Sequence, residues 1–198
     1  MKHVMKLLVA IGLFATVPIA YSSNEKPSSY ELDIEFTPQS SSLTGEAVVE
    51  FLPVMTAGTK TFYLHGELEV ESITLDEKGI DFKTQPVFYE SNYSLIANEL
   101  TFEVEEDSIN AKLRIVYHGQ FNPSSARSAS DYMRLDDDGV FLRSYGYSLW
   151  FPVFLESSQD VYSTDFARVS FKIPKRYSLV FIGDKTSEEV VDEHAISS

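Results

Sequence analysis

The sequence predicts an all-β protein, an antiparallel β-sandwich built from roughly ten short strands. Three observations point there. Apolar and polar residues alternate with a period of two along several stretches, so each strand has one greasy and one wet face. Turn-forming clusters separate those stretches at intervals of about 8 to 15 residues. Before residue 186 no window carries the periodicity of a helix long enough to matter. One wet and one apolar face per strand suits two antiparallel sheets packed face to face.

Residues 1–22 are read as a signal peptide outside the fold. Lys2 and Lys6 form its positive end, and Leu7 to Ala20 is apolar apart from Gly12, Thr16 and Pro18. That run, about 14 residues, is shorter than the roughly 20 that span a bilayer. Ala20-Tyr21-Ser22 offers small residues at the two positions a signal peptidase reads, which sets cleavage before Ser23. The expectation is an exported protein, periplasmic or extracellular, with no membrane association once the signal is removed.

A polar lead over residues 23–29 precedes the β-domain, expected over residues 30–183. Tyr30, Leu32, Ile34 and Phe36 alternate with Glu31, Asp33 and Glu35. The pattern returns in Leu100, Phe102 and Val104, in Leu113, Ile115 and Tyr117, and in Val169, Phe171 and Ile173. Further strands are expected at 46–52, 61–65, 68–75, 80–83, 86–90 and 178–182. Thr56-Ala57-Gly58, Asp76-Glu77-Lys78-Gly79, Glu106-Asp107-Ser108 and Asp136-Asp137-Asp138-Gly139 supply turns between them. Asn122 to Ser130 reads as a surface loop. Residues 184–198 are acidic, with Val190, Val191 and Ile196 as their large apolar side chains, and are expected to be weakly ordered.

Composition excludes several classes of function. The chain holds 16 Lys+Arg against 30 Asp+Glu, a formal −14. Removing the signal takes Lys2 and Lys6 but no acid, leaving 14 basic residues against 30 acidic ones, a formal −16. Such a surface repels phosphate backbones, so no nucleic acid is expected as a partner. The absence of cysteine excludes disulfides and Cys-based zinc sites, so the domain rests on its hydrophobic core.

Little in the chain points to catalysis. His65 and His118 sit at strand ends, an arrangement that suits structural histidines better than metal ligands. Gly146-Tyr147-Ser148-Leu149-Trp150 departs from G-x-S-x-G at its last position. The acidic run at 136–138 lacks the spacing of a calcium loop. No cofactor and no metal is expected. The chain has 14 Phe, 11 Tyr and the single Trp150. The densest stretch, Tyr145 to Pro152, reads first as core and second as a binding edge.

Several segments, in order, resemble the N-terminal β-domain of the aminopeptidase N and leukotriene A hydrolase family of zinc metallopeptidases. Tyr30 to Phe36 resembles its opening strand, and Leu43-Thr44-Gly45-Glu46-Ala47-Val48-Val49-Glu50-Phe51 its L-x-G-x-x-x-I-x-F strand. Phe62-Tyr63-Leu64-His65 followed by Leu68 to Leu75 resembles the I-x-L-H step, and Leu113 to Gly119 the L-x-I-x-Y-x-G strand. Phe141 to Ser144, Trp150 to Phe154 and Phe166 to Pro174 resemble the run that closes the domain. The resemblance implies a saddle of β-sheets that covers a catalytic domain and, beyond a Ser/Thr-Gln pair, lends a Gln or Glu to the substrate's amino end. Ser144 matches the Ser/Thr, Tyr145 replaces the Gln, and Tyr147 stands at the position of the anchoring Gln or Glu. A phenol supplies no carboxylate to an ammonium.

The given sequence contains no H-E-x-x-H. The expectation is therefore an exported, non-catalytic β-sandwich with a binding or interaction role, or a truncated remnant. Two alternatives stand beside it: the cover domain of a split aminopeptidase whose catalytic half is a separate chain, and a periplasmic peptide- or carbohydrate-binding sandwich. The candidate binding residues are Ser144, Tyr145, Gly146, Tyr147 and Trp150. Expected partners are a catalytic peptidase chain, or a second copy paired through an open sheet edge left by missing final strands.

Overall fold

The computed structural model describes residues 25–89, 95–121, 133–136, 139–142, 149–154, 167–177, 184, 187–191 and 194–197. The signal peptide, the loop at 122–130, the strand expected at 178–182 and the candidates Ser144 to Tyr147 lie outside them.

Chain order runs β1 (Ser29–Thr37), β2 (Ser42–Met55), β3 (Gly58–His65), β4 (Leu68–Leu75), β5 (Lys78–Gly79), β6 (Phe82–Tyr89) and β7 (Leu95–Val104). It continues through β8 (Ser108–Gln120), β9 (Met133–Asp136), β10 (Gly139–Leu142), β11 (Val153–Phe154), β12 (Ala167–Pro174), β13 (Glu188–Val191) and β14 (His194–Ser197). The larger sheet has the order β13-β14-β12-β1-β2-β8-β4-β5, and the smaller the order β11-β3-β7-β6. β9 and β10 form a separate hairpin. The protein is all-β, with two open, mainly antiparallel sheets. The parallel pairing of β1 with β12 is the exception, Tyr30 standing opposite Ala167.

The alternating residues form the core. Tyr30, Leu32, Ile34 and Phe36 of β1 are buried, as are Ala111, Leu113, Ile115 and Tyr117 of β8. They meet Phe62, Leu64, Leu100 and Phe102 of the smaller sheet in one cluster. Each of the larger aliphatic and phenylalanine side chains contributes about 1.5–3 kcal/mol by leaving water. On the wet face of the larger sheet, ion pairs cross the strands: Arg168–Glu31, Lys172–Glu35, Arg114–Glu46 and Lys112–Glu50. Lys112 and Ser29 donate to Glu50 and hold its carboxyl below the usual carboxylate range. These pairs offset the crowding of acids on β1 and β2 more than they stabilise the fold.

Glycine fits two close approaches. A Cβ on Gly45 would meet the ring of Tyr117 across the β2–β8 ladder. A Cβ on Gly119 would meet the carbonyl oxygen of Glu67, so β4 can lie against β8 only because that position is bare.

The structure departs from the sequence reading at three places. Residues 80–83 and 86–90 were expected as two strands, but β6 runs unbroken through Pro86, opposite Asn98. β6 is the outer strand of its sheet, where a missing N–H breaks no ladder on the free side. β9 and β10 pair with Gly139 opposite Asp136, although neither strand has a clear alternating pattern; residues 137–138 of the expected acidic turn lie outside the described residues. In the acidic tail, where no strand is expected, β13 and β14 form, and β14 pairs with β12. Backbone pairing on an available edge asks little of side chains, which explains why apolar content missed it.

Candidate binding edge

Of the candidate residues, Trp150 is the one the structure describes. It belongs to a segment, residues 149–154, that wraps the edge of the smaller sheet. β11 pairs antiparallel with β3, Val153 opposite Tyr63 and Phe154 opposite Phe62. Alternation along this edge sends side chains to both faces. Leu149 and Val153 pack with Ala97, Tyr63 and Val87 on one side. Trp150 joins the main core on the other, with Phe151 and Phe154 packed against it.

Two hydrogen bonds fasten the segment. The N–H of His65 donates to the carbonyl of Leu149 at 2.8 Å, and the N–H of Phe154 donates to the Tyr30 hydroxyl at 3.1 Å. The second bond reaches across from β11 to β1, so it ties the two sheets together. It also gives a buried phenol a partner, and burial pushes that phenol above the usual tyrosine range. The Tyr117 hydroxyl, equally buried and likewise pushed up by burial, has no hydrogen-bond partner among the described residues.

The aromatic density has a packing explanation here. Trp150 contacts Phe151 edge-on at 4.8 Å and lies 6.2 Å from Phe171, while Phe151 meets Tyr30 edge-on at 5.8 Å. Phe154 meets Phe51 at 5.4 Å and Phe62 at 5.2 Å, both edge-on. The indole of Trp150 keeps 5% of its exposure. A stacking platform needs a ring face open to solvent, and this one is covered. Trp150 is therefore the anchor of the segment that follows Ser144, Tyr145, Gly146 and Tyr147, which lie outside the described residues. Leu149 takes a left-handed backbone, φ 41°, where those residues join the anchor.

His65 stands at the same place, at the end of β3 where the chain crosses to β4. Its Nδ1 accepts the N–H of Glu67 at 3.2 Å and its ring meets Phe121 edge-on at 5.2 Å. The Asn98 amide donates to the carbonyls of Gly66 and Leu68 and clamps the same crossing. Burial lowers the His65 pKa to about 4, so the ring is neutral at pH 7. It is a structural histidine. His118 is exposed and stands opposite Thr44 and Glu69. Among the described residues no three His, Asp or Glu side chains converge in the manner of metal ligands.

Sequence reasoning missed one polar cluster. Lys60 points inward with Phe62 and Leu64 and is 5% exposed. Its Nζ lies 2.6 Å from Glu25 of the lead and donates to the Thr56 hydroxyl at 3.1 Å. Thr56 in turn donates to Glu25 through its hydroxyl and its N–H. The lead is thus pinned over one end of the core. A lysine in phase with two buried apolar residues was the signal available.

Comparison with known proteins gives a fold. No family model matches the sequence, and no curated protein matches it. Among solved structures, the M1 zinc metallopeptidase of Deinococcus radiodurans superposes with a TM-score of 0.62 at 12% identity, covering 87% of this chain and 38% of that one. A mutant of that enzyme bound to a Tyr-Ser-Ala substrate gives 0.59 over the same shares. Native LTA4 hydrolase of yeast gives 0.54 at 12% identity, covering 87% of this chain and 26% of its own. The chain therefore spans well under half the length of the proteins it resembles. The shared region is their N-terminal part, and the fold of this chain is that of the M1 metallopeptidase N-terminal β-domain.

Proposed function

We propose that this protein is an exported, non-catalytic β-sandwich module that acts by contact with another chain. The observation that carries this reading is the structural likeness itself. It covers 87% of this chain yet reaches only the N-terminal part of the zinc peptidases. The arrangement of residues 149–154 supports it: the aromatic segment is spent on joining the two sheets, which suits a scaffold more than a substrate pocket. Export rests on the signal-like residues 1–22.

A specific form of the same reading is a cover domain for a separately encoded peptidase chain. The likeness to the N-terminal part of a peptidase chain supports it. Open sheet edges support association. β5 pairs only with Thr74 and Leu75, so most of β4 lacks a strand on its outer side among the described residues. A sugar- or peptide-stacking role for Trp150 has less support, given its covered indole.

The test is to isolate the protein from the exported fraction of its source cells. We would measure its native mass, its N-terminus and its zinc-dependent hydrolysis of aminoacyl anilides. An N-terminus at Ser23, a mass above that of one chain and no hydrolysis by the chain alone are expected. A single-chain mass overturns the interaction reading, and zinc-dependent hydrolysis overturns the non-catalytic one.

A further inference from the structure

At one end of the sandwich a groove of about 930 Å³ opens between the two sheets. It is lined by the β4–β5 hairpin, by residues 80–83, and by the end of β7 with the turn into β8, Phe82 and Lys83 standing beside Phe102 and Thr101 of β7. The lining is half apolar. Leu75, Ile80 and Phe82 are half-buried along it, and Ile109 projects with 78% exposure, the more exposed of the two large apolar side chains on the described surface. Among the described residues nothing covers Ile109. Ile109 sits where the β2–β8 ladder slips between Phe51 and Val54, and the neighbouring Asn110 takes a left-handed backbone, φ 54°. That irregularity aims the strand end out of the sheet.

The rim carries charge of one sign in excess. Asp76, Asp81, Glu103, Glu105, Glu106 and Asp107 line the groove, against Lys78 and Lys83. Three of these acids are engaged by the fold. Asp76 accepts from Ser108 and from the N–H of Lys112, Asp107 accepts from the N–H of Ala57, and Glu103 accepts from Thr59. These bonds tie the turns that line the groove to β8 and to the start of β3. Asp81, Glu105 and Glu106 are exposed.

From this geometry we infer that the groove is a docking site for a peptide segment of a partner protein that carries lysine or arginine beside aliphatic side chains. Charge complementarity selects the occupant: the aliphatic groups cover Leu75, Ile80, Phe82 and Ile109, and the cations meet the acidic rim. An acidic or purely apolar segment fails one half of that match. The segment docks by side chains rather than by adding a strand, because beside the groove β4 is already paired with β5 at Thr74 and Leu75, and the edge strand β6 carries Lys83 and Pro86. This deepens the interaction reading proposed above by naming its surface and the chemistry of its partner.

The experiment uses the mature protein and a fluorescein-labelled decapeptide carrying three lysines and three leucines spaced by glycine and serine, read by anisotropy. Two control peptides replace the lysines by glutamates or the leucines by serines. Glu105→Lys with Glu106→Lys is expected to weaken binding at least tenfold, and Ile109→Ser about fivefold. Reversal of Glu69 and Glu71, exposed acids of β4 away from the groove, is expected to change it less than twofold. Circular dichroism checks that every variant is folded. Equal loss from both charge reversals, or equal binding of the serine control, overturns the proposal as general attraction to an acidic protein. Absence of binding overturns it too. In either case the interaction reading is judged separately, by the native mass of the protein from its source.

Discussion

Lys60 and Glu25 allow a sharp test of what holds the lead to the core. Lys60 lies on the inward face of β3, 5% exposed, with its Nζ 2.6 Å from Glu25 and 3.1 Å from the Thr56 hydroxyl. Replacing Glu25 by Leu leaves a buried cation with one hydroxyl for company. Removing one partner of a buried pair costs about 3–5 kcal/mol, and the surviving Thr56 contact puts Glu25→Leu near the lower figure, about 3 kcal/mol. That is a large part of the roughly 5–15 kcal/mol that holds a domain together. Lys60→Met should cost less, because Glu25 sits in the lead rather than in a sheet and its carboxylate can turn to water. The double variant Glu25→Leu/Lys60→Met should lie within about 1 kcal/mol of the parent, since apolar replacement of a buried pair is often neutral. Urea unfolding followed by Trp150 emission gives all four stabilities, and the double-mutant cycle gives the coupling. Single variants costing under about 0.5 kcal/mol, as for a surface pair, or costs that simply add, would refute the reasoning.

Three other outcomes follow from named contacts. The His65 pKa, about 4 when folded against 6.5 when exposed, means the unfolded chain takes up the proton first as pH falls. The stability His65 contributes is complete above pH 6.5 and is lost between 6.5 and 4, up to about 3 kcal/mol. Unfolding at pH 7 and pH 4.5 should therefore show a smaller acid loss in His65→Gln, and an unchanged loss would assign the effect to carboxylates alone. Gly119→Ala places a methyl against the Glu67 carbonyl and should cost about 3 kcal/mol, the upper range for overpacking, because backbone cannot rotate aside. Calorimetry that finds no change would show β4 free to move off β8. Trp150 should emit to the blue of the unfolded chain and resist iodide quenching, while Trp150→Ala should cost about 3–5 kcal/mol. Ready quenching would mean the indole faces solvent after all.

The legible part of the fold was the part governed by side-chain parity. The alternation in β1 and β8 names the residues that are in fact buried, and the turn signals at 56–58, 76–79 and 106–108 mark the strand junctions, although Gly58 and Ser108 open strands and Lys78–Gly79 forms the short β5. Parity does not name a strand's neighbour, so the parallel pairing of β1 with β12 could not be read. Nor does it register strands whose order comes from backbone pairing, which is why β14 and the continuity of β6 through Thr84 and Gln85 are not legible in the sequence. The resemblance carried by short segments in sequence order succeeded because it summed many weak positions into one fold, matching the structural likeness over 87% of the chain.

The binding edge shows where composition stops. Aromatic density at 145–152 says that rings are clustered but not which way they face. For Trp150 that is decided by the pairing of Phe154 with Phe62 and the bond from Phe154 to Tyr30, residues 124 positions apart. The groove is harder still, since Leu75, Phe82 and Ile109 come from three strands in two sheets. Lys60 lies between these cases. In the run Lys60, Phe62, Leu64 a lysine occupies an inward position, and a charge placed there requires a partner or it destabilises the core. The sequence thus marks the position of the problem, and folding supplies Glu25 from 35 residues away as its solution. A break in an otherwise regular alternation is a more specific signal than the alternation, because it asks for one particular neighbour.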